Sequence, residues 1–155
     1  MIEIHVNTSD LERKLRGVVL GLQHPAELME DLSAVMYNEV MKNFELQGRP
    51  SWKKLSPVTL AKKKGNRKLQ EGGERSEDLM GSFEARVEGN AAIVSNAVTY
   101  AAVHNFGHTF NRKKKDGSEY KIVIPARPFM TIPARGRQAL ADACAEFLES
   151  LVRQS

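Results

Sequence analysis

The feature that most constrains the fold is an apolar stripe that repeats every three or four residues between Pro25 and about Leu46. This spacing places side chains on one face of an α-helix. Acidic residues near the start and Lys42 near the end suit the helix dipole, and Gly48 suits the turn after the helix. The sequence therefore predicts a long central helix with the apolar face Leu28, Leu32, Val35, Met36, Val40 and Phe44.

Other periodic segments lie on both sides of this helix. Residues 2–6 alternate between apolar and polar, as in a half-buried strand. Residues 8–10 offer N-caps for a short amphipathic helix, which carries Leu11, Leu15, Val18, Val19 and Leu22. A last helix is predicted from about Pro133 to Val152, with the apolar stripe Leu140, Cys144, Phe147, Leu148 and Leu151.

Two hairpins are expected between the long helices. The first pairs residues 82–88 with residues 91–95 around Gly89. The second has arms near His108–Asn111 and Tyr120–Ile124, with a basic tip at about 111–118. The segment 100–106 between them reads as a short helical turn closed by a glycine. Together these elements predict a single α+β domain over residues 1–155, with a small antiparallel sheet of hairpins packed against a long central helix and a C-terminal helix.

A long charged segment interrupts this pattern at about residues 53–77. Ser56 can cap a short helix that begins at Pro57, and the remainder reads as a mobile loop. Loops of this length are usually functional or disordered, and the conformation of residues 61–77 stays open.

The composition bounds the class of protein. There are 23 basic and 19 acidic residues, a net charge of +4, which is a weak basic excess and less than a dedicated DNA-binding domain usually carries. Aromatic residues make up 6% of the chain, which favours a mainly aliphatic core. Neither a signal peptide nor an apolar run of membrane-spanning length is present, so we expect a soluble protein made in the cytoplasm, without a membrane partner.

No set of catalytic residues emerges, and we expect neither an enzyme nor a cofactor. His104 and His108 have the spacing of two metal ligands on a helix, but Gly107 lies between them, so turn and hydrogen-bonding roles are favoured over a metal site. Cys144, the single cysteine, excludes a disulfide within the chain and reads as a buried structural thiol. Residues 65–73 lack the Gly-Lys-Ser/Thr ending of a phosphate-binding loop.

Two basic runs allow two interpretations. One is a pair of solvated loops, and the other is electrostatic contact with an acidic protein or with phosphates. No aromatic residues alternate with these lysines, which argues against stacking on single-stranded nucleic acid. The runs are Lys62–Lys64 and the tip residues Arg112, Lys113, Lys114 and Lys115.

Three stretches carry a more specific signal: Phe44–Trp52 followed by Leu55–Thr59, Asp78–Phe83 followed by Tyr100–Gly107, and Ile124–Met130. In this order and spacing they resemble the virion-morphogenesis family of phage tail-completion proteins, which occur in Mu-like contractile-tailed phages and prophages. The resemblance covers most of residues 44–131. It departs from the family at residues 69–76, where a short Leu-x-x-Thr-Gly-like segment is usual.

The resemblance implies a non-enzymatic protein that completes the tail and prepares it to join the head, in the host cytoplasm and then in the tail or neck of the virion. Its partners would be other tail or neck proteins and further copies of itself, as a ring that is commonly hexameric in related proteins. Non-specific DNA contact through the basic loops is possible, and a nucleic-acid-binding accessory protein is the alternative function.

The extended arm around residues 125–133 is the segment most suited to recognition, because its three prolines lower the entropy that docking would cost. Arg127 on this arm can bind a carboxylate through two hydrogen bonds, either on a partner or inside the monomer. For Trp52 and Phe129, two roles stay open: contact with a partner, or packing inside the monomer. The interface candidates are Trp52, Tyr100, Arg127, Pro128 and Phe129.

Overall fold

The computed structural model describes residues 8–62, 69 and 79–154. The strand predicted at residues 2–6, the lysines at 63 and 64 and most of the loop predicted as mobile lie outside these residues. The described elements are α1 (Ser9–Gln23), α2 (Ala26–Glu45), α3 (Pro57–Lys62), β1 (Phe83–Glu88), β2 (Ala91–Asn96), α4 (Ala101–Phe106), β3 (His108–Lys113), β4 (Glu119–Ile124) and α5 (Ala134–Gln154).

The long central helix is confirmed, and its C-terminal turn explains the residues that follow. The Gly48 N–H donates to Asn43 O at 2.8 Å, and the Gln47 N–H donates to Phe44 O at 3.2 Å, which is the Schellman pattern. Gln47 takes the left-handed position with φ 56°, and Gly48 follows with φ 101°. A Cβ on Gly48 would collide with the Trp52 ring, so the glycine lets the tryptophan fold back over the helix end.

The α+β class is confirmed, although the hairpins of the described chain form two separate two-stranded sheets. In the first, β1 pairs with β2 from Phe83 opposite Asn96 to Glu88 opposite Ala91, and both strands pack on α2. In the second, β3 pairs with β4 from His108 opposite Ile124 to Lys113 opposite Glu119. The tip is shorter than predicted, because the strands include residues 112 and 113 and leave only 114–118 as the loop.

The terminal helices form a second layer. Helix α5 packs on α2, where Gly136 lies against the Glu39 side chain, and α1 packs on α5, where Gly21 lies against Leu151. No residue of α1 is buried, because the helix contacts α5 through this glycine side and turns most of its leucines outward. Cys144 is half-buried on α5.

The centre of the core is aromatic, although five of the nine buried apolar side chains of the described chain are aliphatic, as the composition favoured. The Phe44 ring lies 5.7 Å from the Trp52 ring, 5.7 Å from the Phe83 ring and 5.3 Å from the Phe129 ring, measured between centroids. Edge and offset contacts of this kind add to the free energy gained by burying the rings. Few aromatics suffice because four of them gather in one place, each from a different segment. Val40, Leu79, Val98 and Ala101 complete the buried cluster.

Candidate assembly surface

The segments that carried the family resemblance meet in the core. Trp52 is 5% exposed and donates its Nε1–H to Pro128 O at 3.0 Å, and Phe129 has no exposed surface. Both side chains therefore pack inside the monomer, the alternative that the sequence left open. In this conformation neither offers its ring to a partner.

Two buried asparagines fix the backbone of the proline-rich arm. Asn43 Nδ2 donates to Phe129 O at 2.7 Å and to Thr131 O at 2.9 Å. Asn105 Oδ1 accepts the N–H groups of Phe129 and Met130, each at 3.0 Å. The arm is extended, as predicted, but residues 127–131 belong to the monomer's own structure. Sequence reasoning missed Asn43 and Asn105, and the only signal for Asn43 was its place beside the apolar stripe of α2.

A buried ionic cluster stands next to Asn43. Arg49 donates through Nη1 to Glu39 Oε2 at 2.8 Å and through Nε to Asn43 Oδ1 at 2.9 Å, while Lys42 Nζ lies 2.8 Å from Glu39 Oε1. Burial raises the pKa of Glu39, but the hydrogen bonds from Lys42 and Arg49 and their charges bring that pKa below its ordinary value. This cluster ties the loop after α2 to the helix and was not anticipated from the sequence.

Arg127 has the opposite environment. It is 5% exposed, and its Nε is buried without a hydrogen-bond acceptor. No carboxylate in the described part of the chain forms an ion pair with it. Its backbone N–H donates to His104 O at 2.8 Å, and burial lowers the pKa of its guanidinium. The possibility that Arg127 binds a carboxylate inside the monomer therefore finds no support among the described residues.

The remaining interface candidates lie around Arg127. Pro128 is exposed, and Tyr100 is half-buried with its ring edge-on to His104 at 5.7 Å. His104 Nδ1 is buried without a partner, and burial, followed by the charge of Arg127, lowers the pKa of this imidazole. His108 is exposed on β3, where it stacks on Phe110 at 5.9 Å. Within the described ranges, no group of three or more metal-binding side chains comes together.

The basic tip of the second hairpin is exposed, as its charge suggested. Lys113 Nζ lies 3.9 Å from Glu119 Oε1, and Lys114 Nζ lies 6.0 Å from the centroid of the Tyr120 ring. Ser118 donates its hydroxyl and its N–H to Asp116 Oδ1 at 2.6 and 2.8 Å, which lowers the pKa of that carboxyl and orders the turn. The tip is thus a shaped turn with its basic side chains facing solvent: Arg112, Lys113, Lys114 and Lys115.

Comparison with known proteins decides the family. The model of the phage virion morphogenesis family matches residues 6–149. The chain belongs to this family. It is 31% identical to the Mu-like prophage FluMu G protein 2 of Haemophilus influenzae over 156 residues, which cover 99% of this chain and all of that protein. No solved structure matches the chain.

This virion morphogenesis protein exposes several large apolar side chains on its two terminal helices. Exposed fractions reach 58% at Leu11, 55% at Leu15 and 62% at Leu20. Phe106, at the end of α4, is 78% exposed. No helix in the described part of the chain is both long and apolar enough to cross a bilayer. These exposed side chains of α1 and α5, together called the α1–α5 face below, are Leu11, Leu15, Val19, Leu20, Leu22, Leu148 and Val152.

Proposed function

We propose that this chain is a structural, non-enzymatic component that completes the phage tail at the head–tail junction, and that it acts as a closed ring of identical copies, with six as the expected number. It would assemble in the host cytoplasm and remain in the tail or neck of the virion. Membership of the virion morphogenesis family supports a role in building the virion. The α1–α5 face is the observation that carries the proposal of assembly.

The argument rests on the cost of leaving apolar side chains in water. Full burial of one leucine gains about 1.5–3 kcal/mol, and these side chains are about half exposed, so each of the seven contributes a part of that to association. Large exposed apolar patches mark protein–protein contacts in soluble proteins. A ring needs a head-to-tail contact between two different surfaces of the same chain. The α1–α5 face and the region of the exposed Phe106 are our candidates for these two surfaces.

Native mass spectrometry at high protein concentration, with and without purified tail tubes, tests the ring. We expect a single closed stoichiometry, either in solution or once tails are present. A strict monomer that binds singly to a tail end would contradict it. Electron microscopy of tails assembled without this protein tests the completion role, and we expect tails that fail to join heads.

The exposed basic tip favours a second candidate function, non-specific contact with DNA. Among the described residues, the one ion pair of these four basic side chains is the 3.9 Å contact of Lys113 with Glu119, so most of their charge is available to phosphates. DNA binding by the isolated protein that is tight and falls steeply with added salt would favour this function. Weak binding at physiological salt would leave the tip to a protein partner.

A further inference from the structure

Arg127 is the one described side chain whose charge is buried and uncompensated. It retains 5% of its surface, and its Nε has no acceptor. In contrast, the buried carboxylate of Glu39 is paired with Arg49 at 2.8 Å. An unpaired buried cation lowers the stability of a protein, because burial removes the water that solvated the charge and no other partner takes its place. Such a residue indicates a site that is completed by something else.

His104 extends this site. Its carbonyl accepts the Arg127 N–H at 2.8 Å, so the two residues are adjacent, and its Nδ1 is a second buried nitrogen without a partner. The Tyr100 ring packs edge-on against the imidazole at 5.7 Å and holds its plane. Burial, together with the charge of Arg127, lowers the pKa of His104, so the imidazole is neutral at pH 7 and the site carries a single positive charge.

We propose that Arg127, supported by His104, is the receptor for a carboxylate that another protein chain of the virion inserts during assembly. The inserted group is an Asp or Glu side chain or a C-terminal carboxylate, carried either by a second copy of this chain or by a different tail or neck protein. This inference rests on the proposed function, since it names the contact by which the protein joins its assembly.

The surroundings favour a protein carboxylate over its competitors. The arginine is flanked by exposed Ala126 and Pro128, an apolar rim typical of protein interfaces. Lys53 lines the depression beside Ala126, but a DNA backbone would need a longer row of basic side chains. Only 5% of the Arg127 surface is exposed, which suits contact with one small group more than with a duplex. A bridging water satisfies two nitrogens but leaves the guanidinium charge without a counter-charge. A planar carboxylate satisfies the charge and the fork of donors together.

Two variants of the full-length protein test the proposal, with Arg86→Gln as the matched control, because Arg86 is exposed and already pairs with Glu88 at 2.7 Å. Arg127→Gln removes the charge, and Arg127→Lys keeps the charge but loses the fork. The melting temperature of each isolated variant is measured together with two affinities, self-association by native mass spectrometry and binding to purified tails that lack this protein. DNA binding is measured alongside.

We expect both Arg127 variants to melt at or above the wild-type temperature and to lose about 10- to 100-fold in one of the two affinities, the size of a lost charge-assisted contact. Loss of self-association assigns the carboxylate to a second copy, and loss of tail binding alone assigns it to another protein. Variants that melt early with both affinities intact would overturn the proposal, as would a loss confined to DNA binding. If the wild-type protein itself fails to bind tails, the completion role fails, and self-association still tests Arg127.

Discussion

At the scale of single residues, buried amide side chains fix distant segments of the backbone to the core. Asn43 has no exposed surface, yet it lies on the same helix as the apolar stripe and next to Phe44. Its amide donates to two carbonyls of the arm more than eighty residues away and accepts from Arg49. A polar group is retained in the core because the arm's backbone, which has no sheet partner here, needs donors and acceptors of its own.

Replacing Asn43 with alanine should therefore be severe. The change leaves two carbonyls and the Arg49 Nε without partners, and an unsatisfied buried group costs about 1–3 kcal/mol. We expect a loss of at least about 2 kcal/mol in the free energy of unfolding, measured by chemical denaturation. Asn38→Ala, at an exposed position on the same helix, is the control and should change little. Equal effects at the two positions would contradict the role given to Asn43.

Glu39 gives the protein a pH dependence of known sign. Its pKa is lower in the folded protein than in the unfolded chain, so its ionised form stabilises the fold above the ordinary value of about 4.3. This contribution is lost as the pH falls through the folded-state pKa. Glu39→Gln should lower the free energy of unfolding by about 1.5–3 kcal/mol at pH 7. On acidification, this variant should lose less of its stability than the wild type does. Thermal melts between pH 3 and 7 measure this difference. Glu149 is exposed and lies 3.9 Å from Arg153, so Glu149→Gln is the control and should match the wild type at each pH.

At the scale of elements, the second hairpin differs from the first. Strands β1 and β2 pack on α2, whereas every residue of β3 is exposed. A two-stranded hairpin is marginal by itself in water, so β3 and β4 depend on their own turn and on the segments that anchor them at both ends. A hairpin held in this way is suited to reach a neighbouring molecule.

Substitutions in the basic tip test whether this hairpin contacts a neighbouring molecule. Replacing Lys113, Lys114 and Lys115 with serine should leave the melting temperature nearly unchanged, because exposed charges contribute little to stability. We expect fewer joined heads and tails if the tip meets an acidic surface or DNA. Phage titre in a complementation assay measures this. A normal titre would return these lysines to the solvated-loop interpretation.

The α1–α5 face makes a separate prediction. Leu15→Gln combined with Val19→Gln should reduce self-association or tail binding without lowering the melting temperature, because both side chains are 55% exposed in the monomer. Lys14→Gln on the same helix is the control. An early-melting double variant would show instead that this face stabilises the monomer, and unchanged association would exclude it from the interface.

For the whole molecule, the sequence predicted what depends on local periodicity and missed what depends on distant contacts. Three local predictions were confirmed: the apolar stripe of α2, the Ser56 cap of α3 and the turn at Gly89. In the cap, Ser56 Oγ accepts the Thr59 N–H at 3.2 Å. The aromatic core was missed because Trp52 and Phe129 lie in irregular segments, where no period indicates which way a side chain points. The isolation of Arg127 is likewise invisible without the fold around it.

The aromatic cluster should dominate the stability of the whole domain. Phe129→Ala removes a ring with no exposed surface and leaves a cavity between four segments, at a cost of about 3–5 kcal/mol. The fluorescence of Trp52, the only tryptophan, reports the transition directly. Phe106→Ala, at a residue 78% exposed, is the control and should melt as the wild type does. A mild effect at Phe129 would mean that the core closes without it.

The distance along the chain between the partners of this cluster also bears on how the protein is made. The Asn43–Phe129 hydrogen bond joins residues 86 positions apart, and the same ring lies against Phe44. A ribosome therefore has to release almost the entire polypeptide before the core can close, while α2 waits with its apolar face uncovered. Nonsense fragments ending before residue 129 should be degraded rather than folded. Such mutations should consequently behave as recessive losses, since a fragment without a core does not fold into a subunit that competes with the intact protein.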